Sequence, residues 1–257
     1  MQKLVIALAL GAANAFVAPA AQSAAVSMQE TKQDLIDLQN SLPGPPGFYD
    51  PLGLADQDYA LGNVDATVGN DATVAFLRHA EIKHGRVAMA AFLGYLAQCT
   101  DLVKGEHTYL PYRGYVAGCT PQEQWDNIPL YGKLQIFTLI GMLESYGEGA
   151  GQPDGYVHYT KGGLPGYFPP IEGRIGPFPI GNLNLYKPFD IFPEQSEDEK
   201  ARGRQVEINN GRLAMLGLIS LLTESNGLIV PPLDGIEGFP KYAGNVMIPF
   251  SADFSLY

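Results

Sequence analysis

The sequence contains the stretch Glu81-Ile82-Lys83-His84-Gly85-Arg86-Val87-Ala88-Met89, and a second copy, Glu207-Ile208-Asn209-Asn210-Gly211-Arg212-Leu213-Ala214-Met215, follows later in the chain. The glutamate, isoleucine, glycine, arginine, alanine and methionine recur at the same places, and Asn210 stands where the first copy has His84. In both copies ionisable residues lie directly beside a long apolar run. The repeat therefore indicates two similar helices, each with charge placed against apolar surface.

Composition limits the class of protein. Of the 257 residues, 17% are charged, below the roughly 25% that is usual for a soluble domain. The 30 glycines and 20 prolines fall mainly between apolar segments, which predicts long irregular connections. The formal net charge of −11 argues against a nucleic-acid partner.

The start of the chain is typical of a targeting segment. Lys3 precedes an apolar run over 4–10, and small residues follow up to Ala15, as in a secretory signal with its cleavage site. Residues 16–27 are rich in alanine and lack acidic side chains, as organelle transit peptides do. We expect a bipartite signal and transit peptide over 1–27 and the mature domain over 28–257. An ordinary secreted protein is the alternative interpretation.

Three long helices are predicted. The first is expected over about 73–98, with Asp71 as a possible N-cap. The second is expected over about 129–146, because Pro129 is favoured as a first helical residue. The third is expected over about 197–224, after a capping box at Ser196-Glu197-Asp198-Glu199.

The segments between these helices are expected to be mostly irregular. A second capping box, Thr120-Pro121-Gln122-Glu123, predicts one short amphipathic helix before the middle long helix. Residues 40–70 are too rich in proline and glycine for a regular element. The segments 148–195 and 225–257 are likewise expected to be loops.

Hydropathy leaves the membrane question open. The uncharged runs after Arg86 and Arg212 are only about 12 residues, nearer to a buried core helix than to a membrane span. Such a run covers about 17 Å, roughly half a bilayer core, so the charged motifs would lie near the middle of a membrane if the helices continue upstream. Basic residues are concentrated before and at the start of the third helix, which by the positive-inside rule places that connection and the N-terminus on one side.

The motif geometry predicts ion pairs between helices. Glu81 and His84 lie about 60° apart on one helical face, whereas Arg86 lies about 140° from Glu81 and cannot pair well with it. Two such helices that cross about a two-fold axis, with the motif glycines at the crossing, would exchange partners. The predicted pairs are Glu81 with Arg212 and Glu207 with Arg86.

These side chains also suit metal ligation. A chlorophyll magnesium is held by four ring nitrogens and takes one axial ligand, such as a carboxylate or amide oxygen or an imidazole. A glutamate paired with arginine, a histidine and an asparagine are neutral or neutralised ligands of this kind.

The sequence resembles the light-harvesting chlorophyll-binding family, and specifically its fucoxanthin–chlorophyll a/c branch. The resemblance covers most of the mature chain, and the doubled glutamate–arginine motif is its most specific part. It rests on Glu81-x-x-His84-x-Arg86, Glu207-x-x-Asn210-x-Arg212, Phe48-Tyr49-Asp50-Pro51-Leu52-Gly53-Leu54, His158-Tyr159-Thr160-Lys161-Gly162-Gly163 and Tyr242-Ala243-Gly244-Asn245-Val246-Met247-Ile248-Pro249-Phe250.

The resemblance implies an all-α membrane protein with three transmembrane helices, the first and third crossing as a pseudo-two-fold pair, joined by long Gly/Pro-rich loops. It implies the plastid thylakoid membrane, with the N-terminus stromal and the C-terminus lumenal. The implied function is light harvesting with chlorophyll a, chlorophyll c and a fucoxanthin-type carotenoid, and transfer of excitation energy to a photosystem. The implied partners are other antenna subunits, photosystem I or II, and thylakoid lipids.

Position by position, the resemblance also implies a set of pigment-binding residues. The axial ligands of chlorophyll magnesium are expected to be Glu81, His84, Glu207 and Asn210. Their cross-paired partners are expected to be Arg86 and Arg212. Further pigment-binding residues are expected at Gln135, Glu144 and Glu224, the last where the family more often has glutamine or histidine. The aromatic-proline segments over 48–54 and 184–190 look like carotenoid contacts, although the second has Lys187-Pro188 in place of Asp-Pro.

Other interpretations stay open at this point. A photoprotective family member would dissipate excitation instead of transferring it, and a pigment-free ion-pair cross would be purely structural. Glu-x-x-His is also a half-site of di-iron carboxylate oxidases, but the second copy has Asn210 and an arginine follows each glutamate. No phosphate loop or nucleophile–base arrangement stands out, so no enzyme is expected.

Some isolated residues are expected to play smaller parts. His79 and His107 are expected to be solvated or capping residues, and His158 is a candidate ligand. Cys99 and Cys119 could form one bridge or remain two free thiols.

Overall fold

The computed structural model describes residues 30–42, 47–57, 69–106, 112–150, 155–171, 195–231, 233–234, 236–246, 248–250 and 252–254. The targeting segment over 1–27, the second aromatic-proline segment over 184–190, and His107 lie outside the described residues. The regular secondary structure of the described residues is helical, in agreement with the predicted all-α class.

Three long helices and three short ones make up most of this structure. They are α1 (Lys32–Ser41), α2 (Gly69–Gln98), α3 (Asp101–Lys104), α4 (Pro121–Asn127), α5 (Leu130–Gly147) and α6 (Glu197–Ser225). Two short 3-10 turns lie at Leu54–Asp56 and Tyr159–Lys161. The helices predicted at about 73–98, 129–146 and 197–224 are therefore present as α2, α5 and α6.

The capping boxes place two helix starts as predicted. At the start of α6, the Ser196 N–H donates to Glu199 Oε2 at 2.8 Å, and the Glu199 N–H donates to Ser196 Oγ at 3.3 Å. At the start of α4, Thr120 and Glu123 make the same reciprocal pair. Each box satisfies backbone donors that a helix start leaves without partners, so the signal is local and readable from sequence.

The predicted start of α2 was wrong. The helix begins at Gly69, and Asp71 lies within its first turn instead of at the N-cap. A carboxylate is favourable in both places, because it faces the positive end of the helix dipole in either one. The residue type therefore locates the helix start only to within a turn.

The expectation of irregular structure over 40–70 does not hold throughout the segment. Helix α1 covers its first two residues and α2 its last two, and Leu54–Asp56 forms a 3-10 turn. The Asp50 carboxylate stabilises this turn by accepting the N–H groups of Leu54 at 2.9 Å and Ala55 at 2.8 Å. The backbone N–H of Ala55, together with that of Leu54, holds the pKa of Asp50 below its ordinary value.

The chain divides into two compact units, and α2, α5 and α6 contribute residues to both. Of the described residues, those from 30 to Arg86 and from Leu143 to Asn209 form one unit, here called the Arg86 unit. Those over Val87–Met142 and from Asn210 to 254 form the other, the Lys133 unit.

The Lys133 unit is closed by its C-terminal segment. Lys133 on α5 is 0% exposed, yet it carries an ammonium group, which must find a partner inside the unit. That partner is Asp253, whose Oδ2 lies 2.6 Å from Lys133 Nζ. Two further bonds hold the same segment: Trp125 Nε1 donates to the Pro249 carbonyl at 2.7 Å, and the Tyr242 hydroxyl donates to Asp126 Oδ2 at 2.7 Å.

Apolar side chains are exposed along α5. They are Leu134, Ile136, Phe137, Leu139, Ile140 and Met142. Contiguous exposed apolar surface usually marks a place where other molecules bind. By hydropathy, however, no helix in the described parts of the chain is both long and apolar enough to cross a membrane. The three transmembrane spans therefore stay a prediction.

Candidate functional site

An ion pair joins the two repeated motifs within the Arg86 unit. Arg86 Nε on α2 donates to Glu207 Oε1 on α6 at 2.5 Å, with the two side chains 26% and 16% exposed. The Arg86 guanidinium also donates through Nη1 to the Gly166 carbonyl. The predicted pair of Glu207 with Arg86 is thus confirmed, and Glu207 is a mostly buried but neutralised carboxylate. The pair of Glu81 with Arg212 stays a prediction.

Glu81 has a cationic partner that was not predicted from the repeated motif. Arg78, buried on the same helix, donates through Nη1 to Glu81 Oε2 at 2.5 Å and through Nε to Glu30 Oε2 at 3.2 Å. The three-residue spacing of Arg78 and Glu81 could have predicted this ion pair, because residues three apart are neighbours on a helix surface. Burial raises the pKa of Glu30, and the Arg78 guanidinium opposes this only in part. Both motif glutamates therefore carry a counter-charge.

His84 is exposed on α2 and presents a defined ring nitrogen. Its Nδ1 lies 2.7 Å from the Ala80 carbonyl oxygen. A carbonyl only accepts hydrogen bonds, so Nδ1 carries a proton, and in the neutral ring Nε2 has the free lone pair. An imidazole whose second nitrogen is fixed by a backbone carbonyl is a common form of metal ligand. His84 therefore has the tautomer that axial ligation requires.

Lys83, the residue before His84, connects α2 to the end of α5. Its Nζ donates to Glu144 Oε2 at 2.7 Å and to Glu148 Oε1 at 3.0 Å. The side chain of Glu144 is 55% exposed, so this predicted pigment-binding carboxylate is both accessible and paired. Sequence reasoning identified Glu144 but not Lys83, because the two are 61 residues apart and on different helices.

Glu148 is the centre of a hydrogen-bond cluster that fixes the loop after α5. It accepts from His158 Nε2 at 3.0 Å and from the Tyr159 hydroxyl at 3.0 Å, in addition to Lys83. Burial alone would raise the pKa of Glu148, but the Lys83 ammonium group and the Tyr159 hydroxyl hold it below its ordinary value. Burial and the neighbouring Glu148 carboxylate raise the pKa of Tyr159. The cluster is anionic at its centre and surrounded by donors.

Two histidines near this cluster differ from their sequence expectations. His79 is buried instead of solvated: its ring stacks on Tyr159 with centroids 3.9 Å apart, and its Nδ1 accepts the Gly166 N–H at 3.0 Å. His158 caps the Tyr159–Lys161 turn by accepting the Thr160 N–H at Nδ1, while Nε2 donates to Glu148. Both ring nitrogens of His158 are thereby used, which does not fit a role as a metal ligand.

The remaining candidates lie in the Lys133 unit. Asn210 and Arg212 are half-buried on α6, and Gln135 is exposed on α5. Glu224, near the end of α6, is only 5% exposed, and its Oε1 accepts from Lys241 Nζ at 2.6 Å. Among the described residues, no hydrogen-bond donor reaches the buried Oε2 of Glu224.

The buried Oε2 of Glu224 fits a site for a cation or a hydrogen-bond donor. A buried carboxylate oxygen without a donor is unfavourable, and a cation or a donor at this position would relieve it. Lys241, the counter-charge, comes from the C-terminal segment and was not singled out from the sequence.

The candidate ligand side chains do not form a cluster in the described residues. Within the described residues, no three histidine, cysteine, aspartate or glutamate side chains come together as a metal-ion cluster. A di-iron site needs such a cluster of carboxylates and histidines, whereas a magnesium already held by four ring nitrogens needs one protein ligand. His84, Glu207, Glu144 and Glu224 each fit that second requirement, and each of the three glutamates contacts a cation, which Glu144 shares with Glu148.

Comparison with known proteins identifies the family. The model of the family described as "Chlorophyll A-B binding protein" matches residues 36–226. Among the relatives, a fucoxanthin-chlorophyll a-c binding protein of Trieres chinensis is 30% identical over 226 residues, covering 86% of this chain and 93% of its own. Fucoxanthin-chlorophyll a-c binding protein D of Phaeodactylum tricornutum is also 30% identical over 226 residues, covering 86% and 94%. Protein B of Macrocystis pyrifera is 28% identical over 228 residues, covering 86% and 89%.

These matches confirm the resemblance that the repeated motif indicated. The family is one of pigment-binding proteins and not a family of enzymes. With a family model over most of its length and relatives of similar size, this chain belongs to the chlorophyll A-B binding protein family.

Proposed function

We propose that this protein is a light-harvesting antenna that binds chlorophyll a, chlorophyll c and a fucoxanthin-type carotenoid and passes excitation energy to a photosystem. The relatives named above carry fucoxanthin-chlorophyll a-c binding in their names and match most of this chain. The observation that carries the proposal is the Arg86–Glu207 pair between the two repeated motifs. A structural ion pair alone is weak evidence of added stability, whereas a neutralised carboxylate is a good ligand in apolar surroundings.

The proposed magnesium ligands are Glu81, His84, Glu207 and Asn210, with Gln135, Glu144 and Glu224 as further pigment-binding residues. Three observations support them: the Nε2 lone pair of His84, the counter-charges of the glutamates, and the unpaired Oε2 of Glu224. Arg86 and Arg212 act by neutralising carboxylates and not as ligands.

The bound pigments supply light absorption and excitation transfer. What the chain supplies is position: its ligands stand on long helices, which hold them at fixed separations and orientations. Arg86 illustrates this role, because its guanidinium fixes Glu207 on α6 and the Gly166 carbonyl at the same time. Val87 and Leu213, directly after the two motif arginines, are exposed apolar side chains, and bound pigment or lipid would cover them and strengthen the electrostatic contacts there.

We also propose that α2, α5 and α6 cross the plastid thylakoid membrane, with the N-terminus stromal and the C-terminus lumenal. The relatives are named as chloroplastic, and α5 exposes an apolar surface suited to lipid and pigment. Other antenna subunits, photosystem I or II, and thylakoid lipids are the proposed partners. Residues 1–27 are the proposed targeting segment.

The test is the absorption and fluorescence-excitation spectrum of the purified protein. Chlorophyll bands should accompany the protein, and light absorbed by the carotenoid should appear as chlorophyll a emission. A protein that retains no pigment through purification, and takes up none on refolding with a pigment extract, would overturn the proposal.

A further inference from the structure

We propose that Lys83 is a positioning residue for pigment: its ammonium group neutralises and orients the Glu144 carboxylate so that this carboxylate can ligate a chlorophyll magnesium. The inference rests on the proposed function and deepens it, because it assigns a role to Lys83, the motif residue directly before His84. It also explains how a glutamate that projects from α5 can serve as a ligand.

The hydrogen bond from Lys83 fixes the orientation of the Glu144 carboxylate. Lys83 Nζ lies 2.7 Å from Glu144 Oε2, so this oxygen faces α2 within the Arg86 unit. The lone pairs of the other oxygen, Oε1, are then the ones that can face a metal. With 55% of the side chain exposed, a flat macrocycle can approach Glu144 without displacing a packed side chain.

The charges explain why Lys83 is needed. A chlorophyll ring already balances the charge of its magnesium, so an anionic ligand adds a net negative charge to an apolar complex. An adjacent cation removes that penalty. Arg86 does so for Glu207 and Arg78 for Glu81, and Lys83 makes the corresponding contact with Glu144.

Lys83 is itself held in place by a second carboxylate. Glu148 Oε1 accepts from the same Nζ at 3.0 Å, and Glu148 is fixed in turn by His158 and Tyr159. The side chain of Lys83 is one quarter exposed, so its flexible stem is restricted on more than one side. The ammonium group therefore stands ready before pigment binds.

The experiment is refolding of the full chain with a plastid pigment extract, followed by pigment analysis and circular dichroism. Glu144→Leu, which removes the ligand, defines the spectral band that belongs to this pigment. We expect Lys83→Met to lose the same band and about one chlorophyll per chain, since each magnesium takes one axial ligand. Lys83→Arg should keep the band, because guanidinium also pairs with carboxylate.

The decisive variant is the double substitution Lys83→Met with Glu144→Gln. A glutamine still offers an amide oxygen but brings no charge, so it needs no counter-cation and the band should return. If Lys83→Met does not refold, the double variant decides: recovery of folding and pigment supports the proposal, and failure of both overturns it.

One control separates the counter-charge from the general loss of an ion pair. Lys200→Met breaks a pair of equal length, Lys200 Nζ to Glu197 Oε1 at 2.7 Å, and should leave the pigment number unchanged. Loss of pigment in Lys200→Met, or full pigment in Lys83→Met, would overturn the role of Lys83. A wild-type chain that binds no pigment would instead refute the proposed function.

Discussion

Removing the Arg86 guanidinium should strongly destabilise the protein. Arg86→Leu leaves Glu207 as an unpaired carboxylate that is 16% exposed, and it also removes the donor to the Gly166 carbonyl. Breaking a buried ion pair on one side costs about 3–5 kcal/mol, whereas an exposed pair contributes about 0–1 kcal/mol. Since both side chains are mostly buried, we expect a loss near the lower end of the first range, about 3 kcal/mol.

The assay is thermal loss of pigment circular dichroism in refolded, pigment-reconstituted protein. A loss of this size corresponds to a midpoint lowered by roughly 6–12 °C for a chain of this length. The double variant Arg86→Leu with Glu207→Gln should recover part of the loss, because no lone charge remains and glutamine still offers an oxygen to magnesium.

The matched control changes the other motif glutamate. Arg86→Leu with Glu81→Gln should show no recovery, because Glu81 is paired with Arg78 and its neutralisation leaves Glu207 charged and alone. Recovery in this variant but not in the Glu207 double variant would refute the pairing of the two motifs. A single-variant loss below about 1 kcal/mol would show that the pair behaves as a solvated one.

Three further outcomes are expected. His84→Leu should lose about one chlorophyll per chain without unfolding, because leucine fills volume but offers no lone pair; unchanged pigment analysis would remove His84 from the ligand set. Cys99 and Cys119 are free thiols, so mass mapping after alkylation without reductant should find both modified, and a linked peptide pair would contradict this. The pKa of Asp50 is lowered in the folded state, so its stabilisation of the turn is full above the ordinary value near 4 and is lost as the pH falls through the lowered value. Hydrogen exchange at the Ala55 amide should therefore be faster in Asp50→Asn than in wild type at neutral pH, and a difference that persists at about pH 2 would contradict the mechanism.

Features that repeat or are local in sequence were the predictable ones. The two capping boxes located the starts of α4 and α6, and the doubled motif identified the long helices that carry it. The Arg86–Glu207 pair was also predictable, because helical geometry excludes pairing of each arginine with the glutamate of its own motif. Helix α1 was missed: it buries no residue, so it lacks the apolar periodicity by which helices are recognised.

The counter-charges from other parts of the chain were not predictable. Lys83 reaches Glu144 on another helix, and Lys241 reaches Glu224 from a loop that has no periodic pattern. His79 is buried for the same reason, since Gly166 and Tyr159 belong to the connection after α5. Sequence spacing reports contacts along one helix, whereas these contacts depend on the path of the loops.

The bond between Lys133 and Asp253 has a consequence for biogenesis. The cation is made with α5, but its only described carboxylate partner is made more than a hundred residues later, near the end of the chain. Until then the growing polypeptide carries a charged side chain that cannot be buried without a large penalty. The Lys133 unit should therefore not close without the segment that carries Asp253, and a chain truncated before Asp253 should leave this lysine open to chemical acetylation.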